Sequence, residues 1–260
     1  MSRATSEGLV MFRMPSPAAL VGAEIRSIAA RRALSAEFLG TLLLVFFTVG
    51  VMIVTGGMLG ERLSSSRLLV TAMAHGMAFG LLVFTMLGAS GGHLNPIMTV
   101  GAMVTHQMTL TRGLMYIAAQ LVGAITGAFL LKLAMPAGMA MTLGVPMLGA
   151  RVTAEAALVV EGILAFMLTM VFLAAAGKPS APAMLGMTTV LGRLFGTALT
   201  GAPMNPALVF GVGMMAGVWS GHWIWWVGPV IGSVLAAVCW RSWFSKGDGG
   251  RHSGDGRAWR

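Results

Sequence analysis

Six apolar stretches, near residues 35–58, 68–90, 112–135, 154–177, 183–201 and 222–244, are each long enough to cross a bilayer as a helix. About 20 apolar residues, rising about 1.5 Å each, span the hydrocarbon core. Lipid offers the backbone no hydrogen-bond partner, so six such stretches imply an all-α membrane protein. Composition agrees: 57% of the residues are hydrophobic and only 10% charged, against about 25% charged in a soluble domain. Six crossings return both ends to one side. Arg3, Arg13, Arg26, Arg31 and Arg32 precede the first stretch, and Arg241, Lys246, Arg251, Arg257 and Arg260 lie at or beyond the last. By the positive-inside rule both termini are cytoplasmic.

The net charge of +9 does not indicate a nucleic-acid partner, because the basic residues flank an apolar core and are not interleaved with exposed aromatics. Such tails orient a chain and touch anionic lipid. One cysteine, Cys239, excludes a disulfide framework and a multi-cysteine metal site. With no catalytic triad, metal cluster or phosphate-cradling glycine loop, the reading is no enzyme, no cofactor and no metal. The expected organisation is a cytoplasmic segment at 1–32, a membrane domain at 33–244, and a Gly/Asp/Arg/Ser-rich tail at 245–260 expected to be disordered.

The membrane domain divides into two repeats, 33–135 and 154–244. Each opens with a glutamate early in an apolar run, Glu37 in Ala36-Glu37-Phe38-Leu39-Gly40 and Glu161 in Val160-Glu161-Gly162-Ile163-Leu164. Each then carries an Asn-Pro dipeptide between its second and third spans, and Asn95 and Asn205 are the only asparagines in the chain. Halves with an odd number of crossings are inverted relative to each other. The apolar segments that follow, 96–106 and 206–218, reach only about halfway through the core. Non-helical backbone at membrane depth survives only where it is buried or lines a cavity. The expectation is two re-entrant half-helices entering from opposite faces and meeting near the midplane, beside six full spans.

Asn at the N-cap with Pro at the first helical position is a strong helix start. Two such starts facing each other place two positive dipole ends at one point, which repels cations. The amides keep N–H groups to donate to a water oxygen, so a water held by both turns its hydrogens outward and interrupts the proton-conducting chain.

At these residues the sequence resembles the aquaporin, or major intrinsic protein, family. Ser90-Gly91-Gly92-His93-Leu94-Asn95-Pro96-Ile97 and Thr200-Gly201-Ala202-Pro203-Met204-Asn205-Pro206-Ala207 look like its paired Asn-Pro-Ala boxes. Arg112 to Gln120 in span three and His222 to Pro229 in span six extend the likeness. The resemblance implies passive permeation of water and small neutral solutes, a pore midplane at Asn95, Pro96, Ile97, Asn205, Pro206 and Ala207, and a homotetramer with one pore per subunit. It also implies that Glu37 and Glu161 brace the loops carrying the half-helices, with His93 as a further brace.

The departures bear on selectivity. Ile97 stands where the family usually has Ala, and Leu208 where most members have a pore-lining Arg. Carried over without gaps, the outer constriction falls on His75, Arg193, Ala202 and Leu208; a short deletion would put Phe79 in place of His75. The segment around His75 is similar to tonoplast-type members, leaving a plasma or a vacuolar membrane as the location. An arginine in mid-span is a functional candidate by default, so Arg193 is read as the filter's charge moved to span five; otherwise it snorkels or pairs with a backbone carbonyl. Trp225, Trp226 and Gly213 favour a water-type over a glycerol-type pore, with ammonia, urea, peroxide and glycerol as secondary solutes. A different class of function, a proton-coupled carrier, would use Glu37, Glu161 and His75.

Overall fold

In the computed structural model, residues 22, 26–60, 63–137 and 141–245 are described. The tail from Lys246 onward and most of the N-terminal segment, including the disorder expected of the tail, lie outside them. Eight α-helices follow in order among the described residues: α1 (Ile28–Ile53), α2 (Ser65–Ser90), α3 (Pro96–Val104), α4 (Leu110–Ala134), α5 (Ala154–Ala175), α6 (Ala181–Thr200), α7 (Pro206–Ala216) and α8 (Ile224–Cys239). Wider turns extend α1 through Val54–Met58 and α8 through Trp240–Phe244. Together these are six long helices and two short ones, the all-α arrangement expected.

Hydroxyl caps set four of the eight starts. Ser27, Ser64, Thr109 and Thr153 accept from the backbone N–H of Ala30, Arg67, Arg112 and Ala156 at 3.0, 3.2, 3.2 and 3.3 Å, satisfying donors that the helix cannot pair internally. The first span begins earlier than its apolar run suggests. Ser27 caps it, and buried Ala30 and Ala33 face the bundle while Arg31 and Arg32 remain exposed.

Packing repeats between the halves: α1 lies on α4 as α5 lies on α8, and α2 joins α6 across the two. Glycine permits the contact. A Cβ on Gly123 of α4 would overlap the carbonyl of Phe38 on α1, and one on Gly232 of α8 would overlap the carbonyl of Gly162 on α5. Phe38 and Gly162 each follow the glutamate of their repeat.

Five helices are long and apolar enough to cross a membrane unaided, and α6 is not among them. It buries Thr189, Arg193 and Thr200 along with Gly186, Gly192 and Gly196, and seats Gly186 against Gly76 and Gly80 of α2. The short helices α3 and α7 have 9 and 11 residues, or about 14 and 17 Å of rise. Each wedges between full spans, α3 against α8, α4 and α5, and α7 against α4 and α1.

Candidate functional site

The two loops that lead into α3 and α7 have the same backbone path. Gly91 and Gly201 end α2 and α6 at φ of 87° and 79°, Gly92 and Ala202 follow at 64° and 41°, and Leu94 and Met204 stand at 52° and 49°. L-residues resist this left-handed region, so surrounding groups must hold the loops. Ser90 Oγ accepts from Gly92 N at 3.1 Å, and Thr200 Oγ1 from Ala202 N at 3.2 Å. The carbonyl of Ser90 accepts from the Tyr116 hydroxyl at 3.0 Å, and that of Thr200 from Trp225 Nε1 at 3.0 Å.

The glutamates hold the same loops, unequally. Glu37 Oε1 accepts from Ser90 Oγ at 2.6 Å and His93 N at 3.0 Å, while Oε2 accepts from Leu94 N and Gln120 Nε2, both at 2.7 Å. Glu161 Oε1 accepts from the Thr200 hydroxyl and the Met204 backbone N–H faces the same carboxylate, but Oε2 has no partner at hydrogen-bond distance. Pro229 of α8 stands at the place that Gln120 holds in α4, four residues beyond Trp225 as Gln120 is beyond Tyr116, so repeat two has no amide to offer. His93 is fully buried, its Nδ1 3.1 Å from Thr99 Oγ1 and its ring edge-on to Tyr116 and Phe172.

Asn95 and Asn205 are joined reciprocally. Asn95 Oδ1 accepts from Ile97 N at 3.1 Å, and Asn205 Oδ1 from Ala207 N and Leu208 N at 3.0 and 3.3 Å. Each amide nitrogen reaches into the opposite loop: Asn95 Nδ2 donates to the Met204 carbonyl at 2.7 Å, and Asn205 Nδ2 to the Leu94 carbonyl at 2.9 Å. A primary amide has two N–H bonds, so one on each side is left after the bridge is made.

Both amides border a narrow cavity in which about 10 Å³ is open to the centre of a water molecule, room for about one. Its other walls are Leu44 of α1, His75 and Phe79 of α2, Leu168 of α5, Thr189 of α6, and Pro203 and Met204. His75 and Phe79, the two alternatives for the span-two position, therefore line the same space one helical turn apart. His75 Nδ1 is buried without a hydrogen-bond partner, and the ring lies within electrostatic reach of Arg193.

Arg193 is 2% exposed. Its Nη1 donates to the carbonyls of Gly201 and Ala202 at 3.0 and 3.3 Å, and its Nη2 to Met52 Sδ on α1 at 3.1 Å. The guanidinium thus pairs with backbone carbonyls, and those carbonyls belong to the loop leading into α7. It is anchored beside that loop and does not snorkel to the surface. Glu161 is an acidic group that acts on it electrostatically. Ala202 and Ile97 join the apolar cluster that includes Leu164, Leu168 and Phe172, and the Ile97 carbonyl accepts from Ser233 Oγ at 2.6 Å. Pro96 and Pro206 open their helices. Ala207 and Leu208 pack with Val45, Val49 and Ile53 of α1 and with Ala124 and Leu131 of α4.

Sequence reasoning did not single out Met52, Thr189, Leu44 or Met204. Leu44, Met52 and Thr189 lie inside apolar runs, where composition carries no signal, and Met204 is an apolar residue of the loop before Asn205. Ser90 and Thr200 were detectable, since each stands five residues before an Asn. Beyond the spans, His222 stacks on Trp219 with ring centroids 4.8 Å apart, and burial holds its imidazole below the usual value.

Comparison with known proteins is consistent with this geometry. A family model described as Major intrinsic protein matches residues 24–240. Aquaporin-5 of Homo sapiens is 39% identical over 222 residues, covering 83% of this chain and 82% of its own. Aquaporin-2 of Homo sapiens is 37% identical over 221 residues, with 83% and 79% covered. The X-ray structure of the aquaglyceroporin from Plasmodium falciparum superposes with a TM-score of 0.69 over 84% of this chain and 98% of that chain, at 20% identity, a likeness of fold.

Proposed function

The chain belongs to the major intrinsic protein family, and from that premise we propose a passive channel that conducts water first and small neutral solutes second, and excludes ions and protons. Members of the family are membrane channels for water or small solutes and are not enzymes. One observation carries the finer reading: two asparagine amides, each spending one N–H on the opposite loop and keeping one beside a cavity sized for about one water. A water accepting from both amides points its own hydrogens away from them, and a proton arriving along the file finds no acceptor facing it. The aligned ends of α3 and α7 add positive potential at the same level.

In this reading the midplane is formed by Asn95, Pro96, Ile97, Asn205, Pro206 and Ala207, and the outer constriction by His75, Arg193, Ala202 and Leu208. Glu37, Glu161 and His93 brace the loops. Arg193 supplies the filter's fixed charge in place of an arginine at Leu208. The tonoplast-like surroundings of His75 and the small Ala202 suit ammonia, urea or peroxide beside water. The channel domain runs over 33–244, both termini face the cytoplasm of a plasma or vacuolar membrane, and four subunits assemble with one pore each.

The carrier alternative requires Glu37 to exchange protons, yet its two oxygens already accept from four donors. Parallel stopped-flow measurements of water, urea and glycerol in proteoliposomes test the solute order. Permeability ranked glycerol first would overturn it. Arg193→Val should raise cation or proton leak, and a seal as tight as that of the parent would remove Arg193 from the filter.

A further inference from the structure

We propose that Met52 of α1 is a positioning residue for Arg193, its thioether setting how far the guanidinium reaches across the pore. This rests on the reading of Arg193 as part of the outer constriction. The bundle gives the contact its meaning. α1 packs chiefly on α4 and α2, and α6 chiefly on α2 and α5, so a side chain running from α6 to α1 crosses the space between them. The same two helices also wall the central cavity. Thr189, one turn before Arg193 on α6, and Leu44, two turns before Met52 on α1, both line it, with His75 of α2 beside them. Residues four and eight apart share one side of a helix, so Arg193 and Met52 stand on the cavity side of their helices, one turn past Thr189 and two turns past Leu44.

The three acceptors of the guanidinium differ in kind. The carbonyls of Gly201 and Ala202 are fixed by a loop that Thr200 and Trp225 hold. Met52 Sδ, at 3.1 Å from Nη2, is a weak acceptor on a flexible stem. The backbone beneath it is tied, because the Met52 carbonyl accepts from Arg67 Nη2 at 3.1 Å where α1 opens into its terminal wide turn. The thioether is therefore the adjustable contact of an otherwise anchored group. With the sulfur present, Arg193 is drawn from α6 toward α1 and narrows the gap. Without it, the guanidinium falls back on the loop carbonyls and the gap widens toward solutes larger than water.

The test uses the full chain in proteoliposomes, with urea and water permeabilities measured on the same vesicles. Met52→Leu, close in volume and lacking the acceptor, should raise the urea-to-water ratio about fivefold, the scale of one modest hydrogen bond. Met52→Gln, which restores an acceptor, should stay within about twofold of the parent, a rescue that bulk packing alone does not produce. In an Arg193→Val background, Met52→Leu should change nothing further. An unchanged ratio in Met52→Leu beside an altered one in Arg193→Val overturns the positioning role and leaves the filter standing. An equal rise from Met52→Leu in both backgrounds also overturns it, because the side chain then acts by its own bulk. No change in any variant, Arg193→Val included, overturns the filter reading and the role of Met52 with it.

Discussion

Replacing Asn205 with Ala removes three hydrogen bonds at once. Two are cap bonds to Ala207 N and Leu208 N at 3.0 and 3.3 Å, and the third is the donation to the Leu94 carbonyl at 2.9 Å. Loss of an N-cap costs about 1 kcal/mol, and leaving a buried carbonyl without its donor about 1–3 kcal/mol. The expected loss is about 2–4 kcal/mol, and in a chain of this size 3 kcal/mol corresponds to about 6–12 °C in Tm. Asn95→Ala loses the cap on Ile97 and the bond to the Met204 carbonyl and should cost a little less. Both cross-bonds join the same two loops, so once one is cut the second holds less: the double variant should fall short of the sum by at least about 0.5 kcal/mol. Asn205→Asp keeps the capping oxygen and loses the donor, and should melt between the parent and Asn205→Ala. Thermal unfolding of the four variants in one detergent measures all of this. Strict additivity, or a shift for Asn205→Ala under about 2 °C, would refute the reciprocal bridge.

Glu37→Gln turns one acceptor oxygen into a donor facing donors, and should cost about 2–4 kcal/mol, read as a lower unfolding midpoint; an unchanged midpoint would contradict the bracing role. Ala202→Gly relieves a residue held at φ 41°, and should stabilise by about 1 kcal/mol, or about 2–4 °C; a lower midpoint would mean that its methyl contributes more to packing than its backbone costs. Gly232→Val drives a side chain into the Gly162 carbonyl and should leave no monodisperse protein in detergent, whereas Gly88→Ala, with nothing within 4 Å of the added carbon, should elute as the parent does. Comparable elution of the two variants would remove the close approach of α5 and α8 as a requirement of the fold.

The architecture was legible because solvent class and repetition are written in residue types that few other folds tolerate. Long apolar runs, a lone glutamate early in each half, and only two asparagines, each followed by proline, restrict the options before any side chain is placed. The start of α1 was not legible, because Arg31 and Arg32 hide a helix whose buried stripe is alanine. The weak apolar character of α6 has a related origin: its buried face carries three glycines, two threonines and an arginine beside Ala181, Pro182 and Leu185, matched to α2 and to the α7 loop more than to lipid. At the site, the cap bonds of Asn95 and Asn205 follow from local rules of helix starts, whereas the bond each amide makes to the opposite loop is long-range. The partners of Arg193 do not follow from local rules. Met52 lies 141 residues away in sequence, and a methionine within an apolar run gives no sign that its sulfur meets a guanidinium. The unequal support of the two glutamates was equally hidden, since it turns on Gln120 having only Pro229 as its counterpart.

The most direct test of the central claim, that the paired amides pass water and interrupt protons, imposes an osmotic gradient and a pH gradient on the same proteoliposomes. The account predicts water flux well above that of protein-free vesicles, linear in the osmotic gradient and weakly dependent on temperature, while the pH gradient persists as long as in vesicles without protein. Flux that saturates, or a pH gradient that collapses only when the protein is present, would contradict it.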